Sequence, residues 1–398
     1  MTADSESWRP TATLRMLELR AEALARTREF FSALGVLEVD TPVVVNAPVT
    51  DVHIHSAEVR FPSEGVASDE PTTSGATNGL TVRASSPYYL HTSPEFAMKR
   101  LLASGSGDIY QICHVVRGLE RGRQHNAEFT LVEWYRLGFS LEQLMDETEA
   151  LARHVLGSAG ASMRSERVSY SDAFRASLGL DPLTAPIEAL RAAASEAGLV
   201  TSTGAPPQGT EKEDAGTPAL ADARADSAQP TAELAQSDAA RHAAGQVERV
   251  AVQRAAEQAE RDELLEFLMS TKVGPTLGRG ALTCVHRYPA SQAALARLDD
   301  RDPRCALRFE LYCEGMELAN GFHELASAAE QRARFEHDLA ERRRRGLPAD
   351  RMDEFLLGAL AAGLPDCAGV ALGFDRLLML ASGARHIDEV LPFPIERA

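Results

Sequence analysis

Apolar residues recur at three- and four-residue spacing from Leu14 through Leu17, Ala21, Leu24, Ala25 and Phe31 to Leu34, and Gly35 follows directly. That pattern predicts an amphipathic helix closed by a C-terminal glycine. Val36 to Asp40 reads as a short extended piece, halted by Thr41-Pro42. Asp108 to Cys113 and Glu128 to Arg136 have the aromatic and branched content of half-buried strands, joined by a charged, Gly-containing loop. A helix is expected over Leu141 to Leu156. Downstream, Leu282 to His286 and Phe309 to Leu318 read as strands, Glu330 to Gly346 as a charged helix, and Met352 to Gly363 as another. Gly369 to Leu380 begins as a strand and ends as a helix, and no internal repeat is visible.

Two stretches lack such periodicity. Pro62 to Pro87 is rich in Ser, Thr, Gly and acid, the composition of a surface loop. The segment from about 202 to 260 is different in kind, with 17 Ala among residues 201–260 and almost no large apolar side chain. It cannot bury enough apolar surface to offset its ordering entropy, so it reads as an insertion or linker. From about Ala232 an exposed helix running into Arg261 to Met269 is expected. The remainder is expected to form one domain that this insertion interrupts.

Composition narrows the class. The chain has 398 residues, 44% hydrophobic and 25% charged, the profile of a globular protein with a sizeable core. No run of eighteen apolar residues indicates a membrane span, and the polar start Met1 to Pro10 predicts a cytoplasmic location. Cys113, Cys284, Cys305, Cys313 and Cys367 form no C-x-x-C pair, which points to reduced, mostly buried thiols. A formal charge of −17 repels a phosphate backbone and lowers the expectation of a large RNA partner.

Chemistry concentrates in three segments. The first runs from Arg117 through Gly118, Glu120, Arg121, Arg123, His125 and Asn126 to Phe129. Arg forks onto phosphate, a carboxylate accepts from an adenine amino group, and an aromatic stacks on the base; the bland alternative is a solvated hairpin turn. The second, Phe309 to Glu324, places Glu310, Glu314, Glu317 and Glu324 among Leu, Met, Ala and Phe. Carboxylates converging near triphosphate oxygens suit Mg²⁺. Glu317 breaks the strand parity of the other acids, so a bulge or bend near Gly315 is needed; the bland alternative is an exposed strand. In the third, Gly369 to Leu377, an apolar strand leads through Gly373 to Arg376 at a helix start. That arrangement suits close approach to a nucleotide, or simply a buried strand entering a helix.

In order and spacing these segments resemble the class II aminoacyl-tRNA synthetases, and within them the lysine-type branch. Phe30 to Pro42 looks like the family's first motif, Arg117 to Tyr135 the second, and Gly373 to Arg376 the third. Tyr89 to Glu95 and Glu317 to Gly321 add lysine-type signatures. The resemblance covers residues 8–200 and 262–398. It implies an α+β fold, a mostly antiparallel sheet flanked by helices, dimeric through the first motif. An anticodon-binding barrel is not expected before that motif, an arrangement similar to a truncated branch that attaches lysine, preferably (R)-β-lysine, to a lysine ε-amino group on a translation elongation factor.

The resemblance also implies roles. Arg117 holds the α-phosphate, His125 and Asn126 contact ATP, Phe129 stacks on adenine, and Glu310 and Glu317 hold Mg²⁺. Leu318 and Gly373 lie against the nucleotide, and Arg376 clamps the triphosphate. Ser93, Pro94 and Glu95 belong to the amino-acid pocket, where Tyr135, Glu324, Glu133 and Asn320 recognise amino groups. One position departs from the family: Leu119 stands where an adenine-reading Glu is usual, so Glu120 is expected to take that task. Arg342 to Arg345 reads as a solvated helix end, or alternatively as a docking patch for the protein acceptor. Three rival readings stand beside the ligase: a free-standing lysyl-tRNA synthetase-like enzyme, an inactive paralogue, and an amide synthetase acting on a small molecule.

Overall fold

The structure, a computed structural model, describes residues 8–61, 87–118, 120–199, 253–254, 256–349 and 351–398. Almost all of Pro62 to Pro87, and the Ala-rich segment as far as 252, therefore lie outside the described residues.

One nine-stranded sheet organises the molecule. Its strands are β1 (Leu37–Glu38), β5 (Ile109–Val116), β6 (Glu128–Leu137), β7 (Arg164–Ser169), β8 (Ala281–Pro289), β9 (Leu298–Asp299), β10 (Asp302–Cys313), β11 (Met316–His323) and β12 (Cys367–Gly373). The order is β1-β5-β6-β12-β11-β10-β8-β7, with β9 on β10. Among the described residues, only the β1–β5 and β7–β8 pairs are parallel. A small sheet of β2 (Val44–Val45), β3 (Glu58–Val59) and β4 (Tyr88–Leu90) stands apart.

The expected first helix forms as α1 (Leu14–Ala33), with Thr13 capping its start and Gly35 beyond its end at φ 69°. Its Phe31 stacks on Tyr110 and meets Trp134 edge-on. α2 (Glu95–Ala103), α3 (Leu141–Leu156), a single turn α4 (Ser158–Ala161), α5 (Tyr170–Leu178), α6 (Ile187–Glu196) and α7 (256–268) follow. α8 (Ala328–Arg344), α9 (Glu354–Gly363) and α10 (Phe374–Ser382) complete the chain.

Strand periodicity divides the sheet into a structural and a functional face. On β6, Val132 and Trp134 enter the core with α1, α3 and α10. Alternation then sends Glu133 and Tyr135 to the opposite face, towards α2. On β10, Phe309 and Leu311 likewise join the core, leaving Glu310 and Tyr312 on the other side.

Phe309 to Leu318 is not one strand. The chain turns at Glu314 (φ 50°) and Gly315 (φ 74°), so β10 and β11 form a hairpin, with a register shift at Leu311/Tyr312. An apolar run containing acids reads as continuous, and only the positive-φ pair reveals the turn. The bend predicted near Gly315 is thus a full reversal. A Cβ on Gly315 would lie 2.8 Å from the Pro275 carbonyl oxygen, so glycine also permits close packing there.

Candidate active site

Register brings the predicted residues together. Glu133 pairs with Ala371, Ala371 with Asn320, and Asn320 with Glu310, so one row across β6, β12, β11 and β10 carries the three polar groups around a small alanine. This row borders a cleft of about 1310 Å³. Ser93, Pro94, Glu95, Arg117, Glu120, His125, Asn126, Phe129, Glu310, Glu317, Leu318, Asn320, Gly373 and Arg376 all line it.

At one end, β5 and β6 are joined by the predicted phosphate loop. Arg117 donates from Nε to the Thr92 carbonyl at 3.1 Å and stands over the Phe129 ring. Glu120 lies 3.9 Å from Arg117. The Gly118 N–H donates to the His55 carbonyl at 2.7 Å, and Arg121 pairs with Asp388 and Glu396, which fixes the loop from both sides. Asn126 is buried, with both ends of its amide engaged: Nδ2 donates to the Glu128 carbonyl and Oδ1 accepts from the Ile395 N–H.

Arg376, at the start of α10, reaches back to this loop. It donates to His125 Nε2 at 2.6 Å, to the Glu317 carbonyl at 2.9 Å and to the Gln124 carbonyl at 3.3 Å. Burial and the charges of Arg376 and Arg117 depress the His125 pKa to about 4, so its imidazole is neutral and accepts. Asp375, beside it, is taken up by Arg20 of α1 and the Thr130 N–H. Gly373 opens a space bounded by Arg376 and the Leu318 carbonyl; the Leu318 side chain itself belongs to the core.

Glu310 accepts from Arg308 at 2.6 Å and from the Tyr312 hydroxyl at 2.7 Å. Desolvation in the cleft and the neighbouring Glu310 charge lift the Glu317 carboxyl well above the usual carboxylate range. Two hard oxygen donors that repel one another fit a divalent cation, which would relieve that repulsion.

At the other end Glu133 accepts from Ser93 Oγ and from the Tyr135 hydroxyl, each at 2.8 Å. Glu324 lies beside them, and Gly369 makes the room: a Cβ there would sit 2.3 Å from Tyr135 and 2.6 Å from Glu324 Oε1. Glu133, Tyr135 and Glu324 are buried beneath the cleft and do not form its open wall. Burial and neighbouring acids raise the carboxyls of Glu133 and Glu324.

Sequence reasoning missed Lys99, whose ammonium contacts Glu95 at 2.7 Å and Glu324 at 2.5 Å. The four-residue interval from Glu95 was the visible signal. It also missed Arg308 and Tyr312, which share Glu310's strand parity. The Arg342 to Arg345 run is not a free patch. Arg342 is buried and donates to the carbonyls of Asp51, Ile54 and Pro348, while Arg344 and Arg345 pair with Glu341, and Arg345 also with Glu263. A polar run shows charge, whereas the partners at Asp51, Ile54 and Glu263 come from distant segments.

The five cysteines are free thiols, four of them buried. Among the described residues, no helix is long and apolar enough to cross a membrane.

A mixed sheet carrying an arginine-rich hairpin loop, paired acids and a strand-to-helix arginine defines a class of enzyme, and the sequence agrees. The model of the class II tRNA synthetases (D, K and N) matches residues 6–397, so the chain belongs to that family. It is 42% identical to an elongation factor P–(R)-β-lysine ligase of Vibrio cholerae over 394 residues, covering 99% of each chain. Proteins of the same name from Vibrio atlanticus and Pasteurella multocida are 41% and 40% identical, covering 98–99% of this chain and 99% of theirs. The chain is accordingly a ligase of the class II synthetase family.

Proposed function

We propose that the protein activates lysine, preferentially (R)-β-lysine, with ATP and transfers it to the ε-amino group of a lysine on elongation factor P. The observation that carries this reading is the continuity of one cleft from the Arg117–Arg376 end to the Ser93–Glu95–Asn320 end, beneath which Glu133, Tyr135 and Glu324 are buried. A triphosphate and a diamino acid bound along it would meet at Arg117.

Each residue then has a chemical task. The substrate carboxylate attacks the α-phosphorus and pyrophosphate departs. Arg117, anchored on Thr92, stabilises the charge gathering on the α-phosphate oxygens. Arg376, set by neutral His125, faces the departing phosphates. Phe129 and Gly373 bracket the adenine, with Glu120 as its polar reader. Glu310 and Glu317 would hold a magnesium ion, which neutralises phosphate charge when bound. Ser93 orients Glu133, and Tyr135 and Asn320 complete the amino-group pocket beside Pro94. The adenylate carbonyl is then attacked by the acceptor amine, forming an amide and releasing AMP.

The net charge of −17 favours a protein acceptor over tRNA. Leu14, Leu34 and Leu37 stay exposed along α1 and β1, which supports pairing of two copies through that face. The catalytic unit is proposed as a single cytoplasmic domain interrupted at about 202–260. Amino-acid-dependent ATP–pyrophosphate exchange tests the activation step. Exchange with lysine or (R)-β-lysine is expected; none with any amino acid would favour an inactive paralogue.

A further inference from the structure

Lys99 has no part in the chemistry described so far. It lies on α2 one turn beyond Glu95 and is 1% exposed, with Nζ between Glu95 Oε1 and Glu324 Oε2. Burial alone would strip its proton; the Glu324 and Glu95 carboxylates outweigh that and raise its pKa. A fixed ammonium at the floor of an amino-group pocket repels a cationic substrate unless acids outnumber it. Here they do, since Glu95, Glu133 and Glu324 against Lys99 leave a surplus of two negative charges.

Asn320 Oδ1 is a buried acceptor with no hydrogen-bond partner, whereas Glu324 Oε2 is met by the Lys99 ammonium alone. A buried acceptor left open in this way calls for an N–H donor from a ligand.

We propose that Lys99 is a positioning residue that sets the pocket's charge for a dication, so that the site takes diamino monocarboxylic acids with both amino groups protonated. This rests on the amino-acid-activating reading above and adds to it the origin of the selectivity. Lys99 fixes two carboxylates and cancels one charge, and the substrate's two ammonium groups cancel the rest. An amino acid with an uncharged side chain leaves one buried carboxylate uncompensated, at a cost that excludes it.

The other charged groups near Glu324 are Arg297, Asp300, Glu330 and Asp366 on its outer side, where Arg297 pairs with Asp300 and Asp366. Tyr135 donates to Glu133 as a neutral phenol, its pKa raised by burial and by Glu133. The Cys113 and Cys367 thiols are also pushed up by burial. Asp40, Asp108 and Asp366 act on those thiols from farther off. Burial raises the Glu324 carboxyl to about 8 and the Glu133 carboxyl to about 7, so near pH 7 the empty pocket takes up part of its surplus negative charge as protons, which an incoming dication displaces.

Proton release on binding, measured by calorimetry in buffers of different ionisation enthalpy, reads the charge directly. Wild type should release protons on binding lysine or (R)-β-lysine at about pH 7. Lys99→Met removes the internal cation, so the acids hold more protons and release on binding increases. Its KM for the diamino acid in pyrophosphate exchange should rise about tenfold at pH 7, the factor one pKa unit carries, and fall back as pH rises. The KM effect should exceed any effect on kcat. Lys99→Met/Glu95→Gln restores the surplus of two charges and should return proton release to the wild-type level, even if affinity stays weak. A merely structural role would leave proton release unmoved. Lys99→Met with wild-type proton release, or wild type binding 6-hydroxynorleucine as tightly as lysine, overturns the inference. If wild type supports no amino-acid-dependent exchange, the activation reading falls and this inference with it.

Discussion

His125 Nε2 accepts from Arg376 Nη2 at 2.6 Å, joining the loop after β5 to the start of α10. The bond needs a neutral imidazole, and the same arginine helps hold the His125 pKa near 4. A lowered pKa means the ring stays uncharged throughout the physiological range. The pH profile of pyrophosphate exchange should therefore show no inflection from His125 near its ordinary value, and His125→Gln should keep the wild-type profile. Arg376→Ala should lower kcat/KM for ATP on the order of a hundredfold, as expected for an oxyanion-stabilising donor.

Gly369 tests the proposed amino-acid pocket without touching a charge. A Cβ at this position would overlap Tyr135 at 2.3 Å and Glu324 Oε1 at 2.6 Å. Gly369→Ala should raise the KM for the amino acid at least about tenfold and lower stability by about 1–3 kcal/mol, the usual range for overpacking. The KM for ATP should change little. Steady-state exchange kinetics and a thermal melt separate the two effects.

Arg342 donates to three backbone carbonyls, two of them in the 51–54 turn. The next residue, His55, accepts from the Gly118 N–H at its carbonyl, and Gly118 adjoins Arg117. Arg342→Met leaves buried carbonyls unpaired and should cost about 2 kcal/mol of stability. It should also raise the KM for ATP through the loosened Gly118 loop. Denaturant unfolding and exchange kinetics check both effects.

Asp338 accepts from Thr50 at 3.0 Å, and burial pushes its carboxyl up to about 7. A raised acid pKa stabilises the fold at low pH. That stability is lost as pH climbs from the unfolded value near 4 through 7, where the buried carboxylate must ionise. The full shift corresponds to about 4 kcal/mol at 1.36 kcal/mol per unit, and partial exposure of the side chain reduces this to about 2. Asp338→Asn should therefore raise Tm at pH 8 and change it little at pH 5.

Much of this architecture was legible in the sequence because periodicity and burial agree. The Leu14 to Leu34 helix, the strands on either side of the phosphate loop and the Gly369 to Leu380 strand-to-helix unit all carry a clear repeat. The β10–β11 reversal was hidden because its apolar run continues through the turn. Its consequence was legible only in part: Glu317's broken parity signalled a bend, while the pairing of Tyr312 with Glu317 is set by register. The motifs marked which residues line the cleft. Lys99 escaped because a lysine on a helix ordinarily faces water, and only packing of α2 against the sheet buries it. The Arg342 to Arg345 run misled for the complementary reason, since Arg342 bonds the Asp51 and Ile54 carbonyls and Arg345 pairs with Glu263.

The central claim is that the activated amino acid passes to a protein. Labelled (R)-β-lysine and lysine, with ATP and Mg²⁺, offered elongation factor P and bulk tRNA side by side, test it directly. The account predicts label on a lysine of elongation factor P, with the β-isomer the better donor and no label after Arg117→Ala. Label on tRNA, with elongation factor P unmodified, would contradict it.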